Sequence, residues 1–254
     1  PGWLEELVEF AETHKEIGIV NPQCSRDPTI PFEEHAANLK KNNKGKFMEM
    51  NQCFGFCMLI KREVIDKIGY LDEAFGMGSY DDTDYSMRAY KAGYLCASVH
   101  SSYVHHIYNI SFKALGGQDR IVASGEKEYF RKWPRHLRAG VTFSLTSSAD
   151  DFAIKNMLKG MLFLAREWCW VKVWIFGDAA INKKRIAGVS EKIGMPLHQN
   201  IKFNYFASKF KNPHIIAKVL ERSFGTKRRK KYDMVLVDEG LARPFLLPGL
   251  PRKA

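Results

Sequence analysis

Beyond residue 151 the hydrophobic pattern keeps switching period. Segments 152–165, 180–193 and 214–224 repeat apolar residues at helical spacing, and the short apolar runs 171–176, 201–206 and 234–237 lie between and after them. Parallel neighbours need a crossover connection, so strands that alternate with helices predict a parallel α/β sheet. On that fold analogy residues 139–254 are expected to form a smaller, Rossmann-like α/β domain. A chain of 254 residues that is 45% hydrophobic can bury a substantial core, as one large or two small domains.

Charge divides the chain in the same place. Residues 1–135 hold 17 Lys+Arg against 19 Asp+Glu, whereas residues 136–254 hold 22 against 9. A basic C-terminal half suits nucleic acid, an anionic membrane surface or phosphorylated substrates. No nucleic-acid motif accompanies the charge, so nucleic acid is not the expected partner. The basic run 227–231 reads as a solvated loop or as a peripheral membrane contact. The turn Phe176-Gly177-Asp178 after a strand is a weak nucleotide signal without a fuller glycine fingerprint.

Five cysteines, Cys24, Cys53, Cys57, Cys96 and Cys169, are scattered through apolar surroundings, which fits thiols in a reducing compartment and a cytoplasmic protein. The inner face of the membrane is the alternative location. Cys53 and Cys57 lack a second Cys/His pair at zinc spacing. The most apolar stretch, 157–177, is interrupted by Lys159, Arg166, Glu167 and Lys172, so a helix followed by a strand is expected there rather than a membrane span.

The first half reads as a helix over 3–14 and a strand over 17–20 closed by Asn21-Pro22. A polar loop over 21–46 and a strand over 50–60 come next. A short helix over 62–68 ends on Gly69, and a helix over 84–92 ends on Gly93. A strand over 94–99 precedes His105-His106, a helix covers 126–133, and 134–151 has the composition of a linker.

Asp81, Asp82 and Asp84 place three carboxylates within four residues. Mutual repulsion raises at least one pKa and suits a general base or a cation holder. The plain alternative is that they cap the following helix, whose free N–H groups and dipole favour acids.

Around this triplet runs one connected string: Leu71-Asp72-Glu73-Ala74-Phe75, Tyr80-Asp81-Asp82-Thr83-Asp84, Arg88, then Ala92-Gly93-Tyr94. His105-His106 and Ser111-Phe112 follow, and Tyr129-Phe130-Arg131-Lys132-Trp133 closes the series. The string resembles the second half of family 2 glycosyltransferases of the GT-A (nucleotide-diphospho-sugar transferase) fold, and Pro1-Gly2-Trp3-Leu4 resembles the segment just after their Asp-x-Asp.

The resemblance covers about residues 1–135 and implies the acceptor-side half of such a domain, over 1–138, without its N-terminal donor-binding strands. It implies an inverting transfer from a nucleotide-sugar donor to a glycan or lipid-linked acceptor in polysaccharide synthesis. A divalent cation, Mn or Mg, would neutralise the diphosphate. By position Asp82 matches the base, with Asp81 standing where Glu is more usual.

Asp84, Arg88, Gly55 and Phe56 are the expected substrate contacts and His105 the expected metal ligand. For Arg88 the alternative is an ion pair to Asp84 or Asp81, for Gly55 and Phe56 core packing, and for the histidines a structural role. The isolated stretch is expected to transfer little or no sugar. A noncatalytic scaffold that docks on a membrane or a partner is the competing reading.

Overall fold

The structure, a computed structural model, describes residues 2–26, 28–107, 117–145, 151–206 and 232–237. The helix expected over 214–224, the basic run 227–231 and Ser111-Phe112 lie outside the described residues. The chain forms two compact units, Pro1–Arg135 with Pro196–Gln199, and His136–Met195 with Asn200–Ala254. Both are α/β.

In the first unit α1 (Trp3–Thr13) places Leu7, Phe10 and Ala11 on one buried face. Strand β1 (Ile17–Gln23) follows, buried from Ile17 through Pro22. It runs through Asn21-Pro22 instead of closing there. Next come α2 (Phe32–Asn42), β2 (Phe47–Met50), β3 (Leu59–Ile60), α3 (Arg62–Ile68) and a single 3₁₀ turn at Glu73–Phe75. The unit continues with α4 (Asp81–Lys91), β4 (Leu95–Tyr103) and α5 (Gln118–Lys132).

Two expectations for this stretch are corrected. The polar segment 21–46 contains α2, a helix with no buried residue, so it carries no apolar stripe to reveal it. The apolar run 50–60 is two short strands, because its middle turns away to serve a side chain of β1.

The five-stranded sheet has the order β3-β1-β4-β2-β7, with β7 spanning Leu197–His198. β1 pairs parallel with β4 and antiparallel with β3. Leu7, Phe10, Ile17, Val20, Ala97 and Val99 form one cluster, and Ile19, Cys53, Val64, Tyr85, Ala89 and Cys96 another. Each fully buried large side chain contributes about 1.5–3 kcal/mol. Gly18 is required by this packing, since a Cβ there would strike Val64 and Tyr94.

The second unit holds β5 (Arg138–Ser144), α6 (Asp151–Arg166), β6 (Trp170–Phe176), α7 (Ala179–Lys192), β8 (Ile201–Phe206) and β9 (Met234–Val237). The sheet order is β8-β6-β5-β9 and every pairing is parallel. The presumed linker 134–151 therefore contains a central strand. Ile154, Leu158, Met161 and Ala165 of α6 cover Val171, Val173 and Ile175. Among the described residues no helix is long and apolar enough to cross a membrane. All five cysteines are free, and Cys53, Cys96 and Cys169 are buried.

Candidate active site

The approach to the acidic helix is strained. Gly76, Gly78, Ser79 and Tyr80 all have positive φ, the last two at 73° and 66°. A left-handed residue other than glycine costs about 1–2 kcal/mol, so the conformation persists only where neighbours impose it. They do so here: the Tyr80 ring lies 5.4 Å from that of Tyr129 and 6.4 Å from that of Phe130, both on α5. Gly125 of α5 lets the Ser79 carbonyl approach, since a Cβ there would collide with its oxygen.

As a result α4 starts at Asp81, three residues earlier than the pattern suggested, and the acids occupy its first turn. The acids lie in the first turn, where the helix dipole favours them, but the N-cap residue is Tyr80 and it makes no side-chain cap hydrogen bond. Their surroundings nevertheless separate them.

Asp84 is fully buried, and the protein itself takes up its carboxylate. Arg88 Nε donates to Oδ2 at 2.8 Å, Trp133 Nε1 to Oδ1 at 2.8 Å, and Lys132 Nζ lies 2.7 Å from Oδ1. Arg88 also donates to the carbonyls of Ile68 and Tyr70, each at 2.8 Å. Lys132 reaches Asp72 as well, at 2.8 Å, and Asp72 caps the 3₁₀ turn through the Ala74 N–H. The expectation of Asp84 and Arg88 as substrate contacts is thus corrected: both are committed to a buried network that fixes the loop. The ion pair considered as the alternative for Arg88 is the arrangement found.

Asp82 is different. It is half-buried, and its Oδ2 accepts the Gly55 N–H at 2.9 Å. Its Oδ1 accepts from the Thr83 hydroxyl at 3.2 Å and, at 3.5 Å, from Gln52 Nε2. Burial pushes its carboxyl above the ordinary value of 3.8; the Gly55 N–H opposes this, and the negative charge of Asp81 adds to it. The Ser86 hydroxyl ties the same helix to the facing loop, donating to the Asp82 carbonyl at 2.8 Å and accepting from the Cys53 N–H at 3.1 Å.

The structure therefore joins Gly55 to Asp82, and it stacks Phe56 on His106 with centroids 5.0 Å apart. It pairs His105 with Phe32 of α2, ring centroids 6.0 Å apart. Among the described residues no group of three His, Cys, Asp or Glu side chains could hold a metal ion. Asp81 and Asp82 supply hard oxygen donors of the kind that suit Mg²⁺ or Mn²⁺, but these residues alone do not build a cation site.

Asn21 escaped the reading of the sequence. It is a buried polar side chain on β1, clamped to the loop that carries Gly55. An asparagine continuing an apolar strand beside a proline was the available signal, and it reads equally well as a turn. The parts played by Lys132 and Trp133 at Asp84 were carried in sequence only by their place in the string.

Comparison of the chain with protein-family models, with curated proteins and with solved structures found no match.

Proposed function

We propose that residues 1–135 act as the acceptor side of an inverting, family 2, GT-A-type glycosyltransferase, with Asp82 as general base. One observation carries the reading. Of the two neighbouring acids Asp82 and Asp84, the second is locked to three cationic and N–H donors, whereas the first keeps a partly exposed carboxylate whose proton affinity is raised by burial. A base is most effective when its pKa is drawn toward the working pH.

In the proposed step the acceptor hydroxyl gives its proton to Asp82 while its oxygen forms the bond to the anomeric carbon. The bond from that carbon to the diphosphate oxygen breaks on the opposite face, and the nucleoside diphosphate departs with the electron pair. Gly55 holds the carboxylate. A divalent cation, Mn or Mg, would neutralise the charge of the departing diphosphate.

The test is transfer from a panel of nucleotide sugars by the full-length protein that contains these residues. Asp82→Asn should lower kcat by about 10²–10⁴-fold. In the wild type the acidic limb of the kcat profile should lie above pH 3.8, since the raised carboxyl must ionise before it can accept a proton. Wild-type kcat in the variant would refute the assignment, and no turnover with any donor would favour the scaffold reading.

A further inference from the structure

At Asn21 the strand keeps its pairing with Ser98 of β4 but loses its backbone partner on the other side. β1 pairs with β3 only through Ile19 and Val20. Beyond Val20 the chain on that side no longer runs as a strand, and the Asn21 carboxamide takes up its backbone groups. Oδ1 accepts the Phe54 N–H at 2.6 Å, and Nδ2 donates to the Phe54 carbonyl at 3.0 Å and to the Cys57 carbonyl at 2.5 Å. One N–H and two carbonyls fix which end of the amide is which.

We propose that Asn21 is a positioning residue for Asp82: its carboxamide sets the turn 54–57 so that the Gly55 N–H meets the Asp82 carboxylate. This rests on the reading of Asp82 as the base. Phe54 is held at both its N–H and its carbonyl by the same side chain, which fixes the peptide plane leading into Gly55. The next N–H in the chain is the one that reaches Asp82 Oδ2. Asn21 is 1% exposed, so removing its amide leaves one N–H and two carbonyls at this part-buried site without the partner that fixed them. Cys53, on the other side of the turn, is pinned independently by Ser86. Loss of Asn21 therefore loosens the turn and leaves its root in place.

The experiment follows the Asp82 carboxyl by ¹³C NMR titration in the full chain, alongside kcat and KM. Asn21→Ala should shift the titration to higher pH, because a hydrogen bond to the charged form is lost, and should lower kcat about 10–100-fold with little change in KM. Gly55→Pro, which deletes the donor itself, should shift it the same way. Gln23→Ala removes a neighbouring polar side chain of β1 that bonds Ser98 at 2.7 Å, and should leave the titration where it is. Should Asn21→Ala not fold, Asn21→Ser, which keeps one hydrogen-bonding group, replaces it.

An unmoved titration in a folded Asn21 variant overturns the proposal, as does an equal shift in Gln23→Ala. A shifted titration combined with wild-type transfer by Asp82→Asn would sink the assignment of Asp82 as the base while leaving the positioning role intact.

Discussion

The two units bury different chemistry. The first holds Glu6, Asn21, Glu49, Thr83, Asp84 and Ser86 in its interior, several of them knitted to backbone groups of distant segments. The second buries mainly aliphatic side chains between α6, α7 and a fully parallel sheet, with Thr142, Asn182 and Asn200 as its buried polar residues among those described. An apolar core stabilises without regard to direction, whereas hydrogen bonds and ion pairs act only at particular angles and distances. The first unit accepts desolvated polar groups and left-handed backbone, and with them obtains a carboxylate whose place and proton affinity are both defined.

That contrast can be broken experimentally, most severely at Asp84. Asp84→Ala leaves Arg88 without its counter-charge and Lys132 with Asp72 alone, and should cost about 3–5 kcal/mol in denaturant unfolding. A loss below about 1 kcal/mol would mean that the network is ornamental. Leu158→Ala, in the apolar core, should cost about 2–5 kcal/mol. It should leave the Asp82 titration unmoved, and a shift there would show that the two interiors are coupled.

Gly125→Ala drives a methyl group into the Ser79 carbonyl and should cost about 1–3 kcal/mol while disturbing transfer, since the strained approach to α4 must give way. Ser79→Gly relieves one left-handed residue and should raise stability by about 1 kcal/mol at most.

The subtlest effect is at Asp82 itself. A carboxyl whose folded pKa is raised contributes stability that is present at low pH and lost as pH rises through that pKa. Asp82→Asn should then match or exceed wild-type Tm at neutral pH, and the difference should close as the solution is acidified. A lower Tm at neutral pH would contradict the environment described for this carboxyl.

Much of the scaffold was legible because its signals are local. The helix Arg62–Ile68 with Gly69 behind it, and the strands Ile201–Phe206 and Met234–Val237, were read directly from periodicity and punctuation. Helix α2 was hidden because it buries nothing, and β5 because a central strand with Gly140 in its middle resembles a linker once Pro134 and several charges flank it.

At the site, the acidic triplet stood out, but its division of labour did not. Asp84 differs from Asp82 only through Arg88, Lys132 and Trp133, two of which lie nearly fifty residues downstream. The partnership of Asn21 with residues 54 and 57 is equally non-local, and no spacing rule encodes it.

The short strand β7 has a consequence for how this polypeptide can be handled and how it could have evolved. Leu197 and His198 pair with Met48 and Glu49, and the Gln199 N–H donates to the Glu49 carbonyl at 3.0 Å. Four residues from late in the sequence thus finish the margin of a sheet built by the first 103. A gene cut at position 135 would release a product with β2 as an open margin, prone to recruit strands from other molecules. Recombination that exchanged the second unit would have to preserve this short strip, so the two units are separable by contact but not by a single crossover.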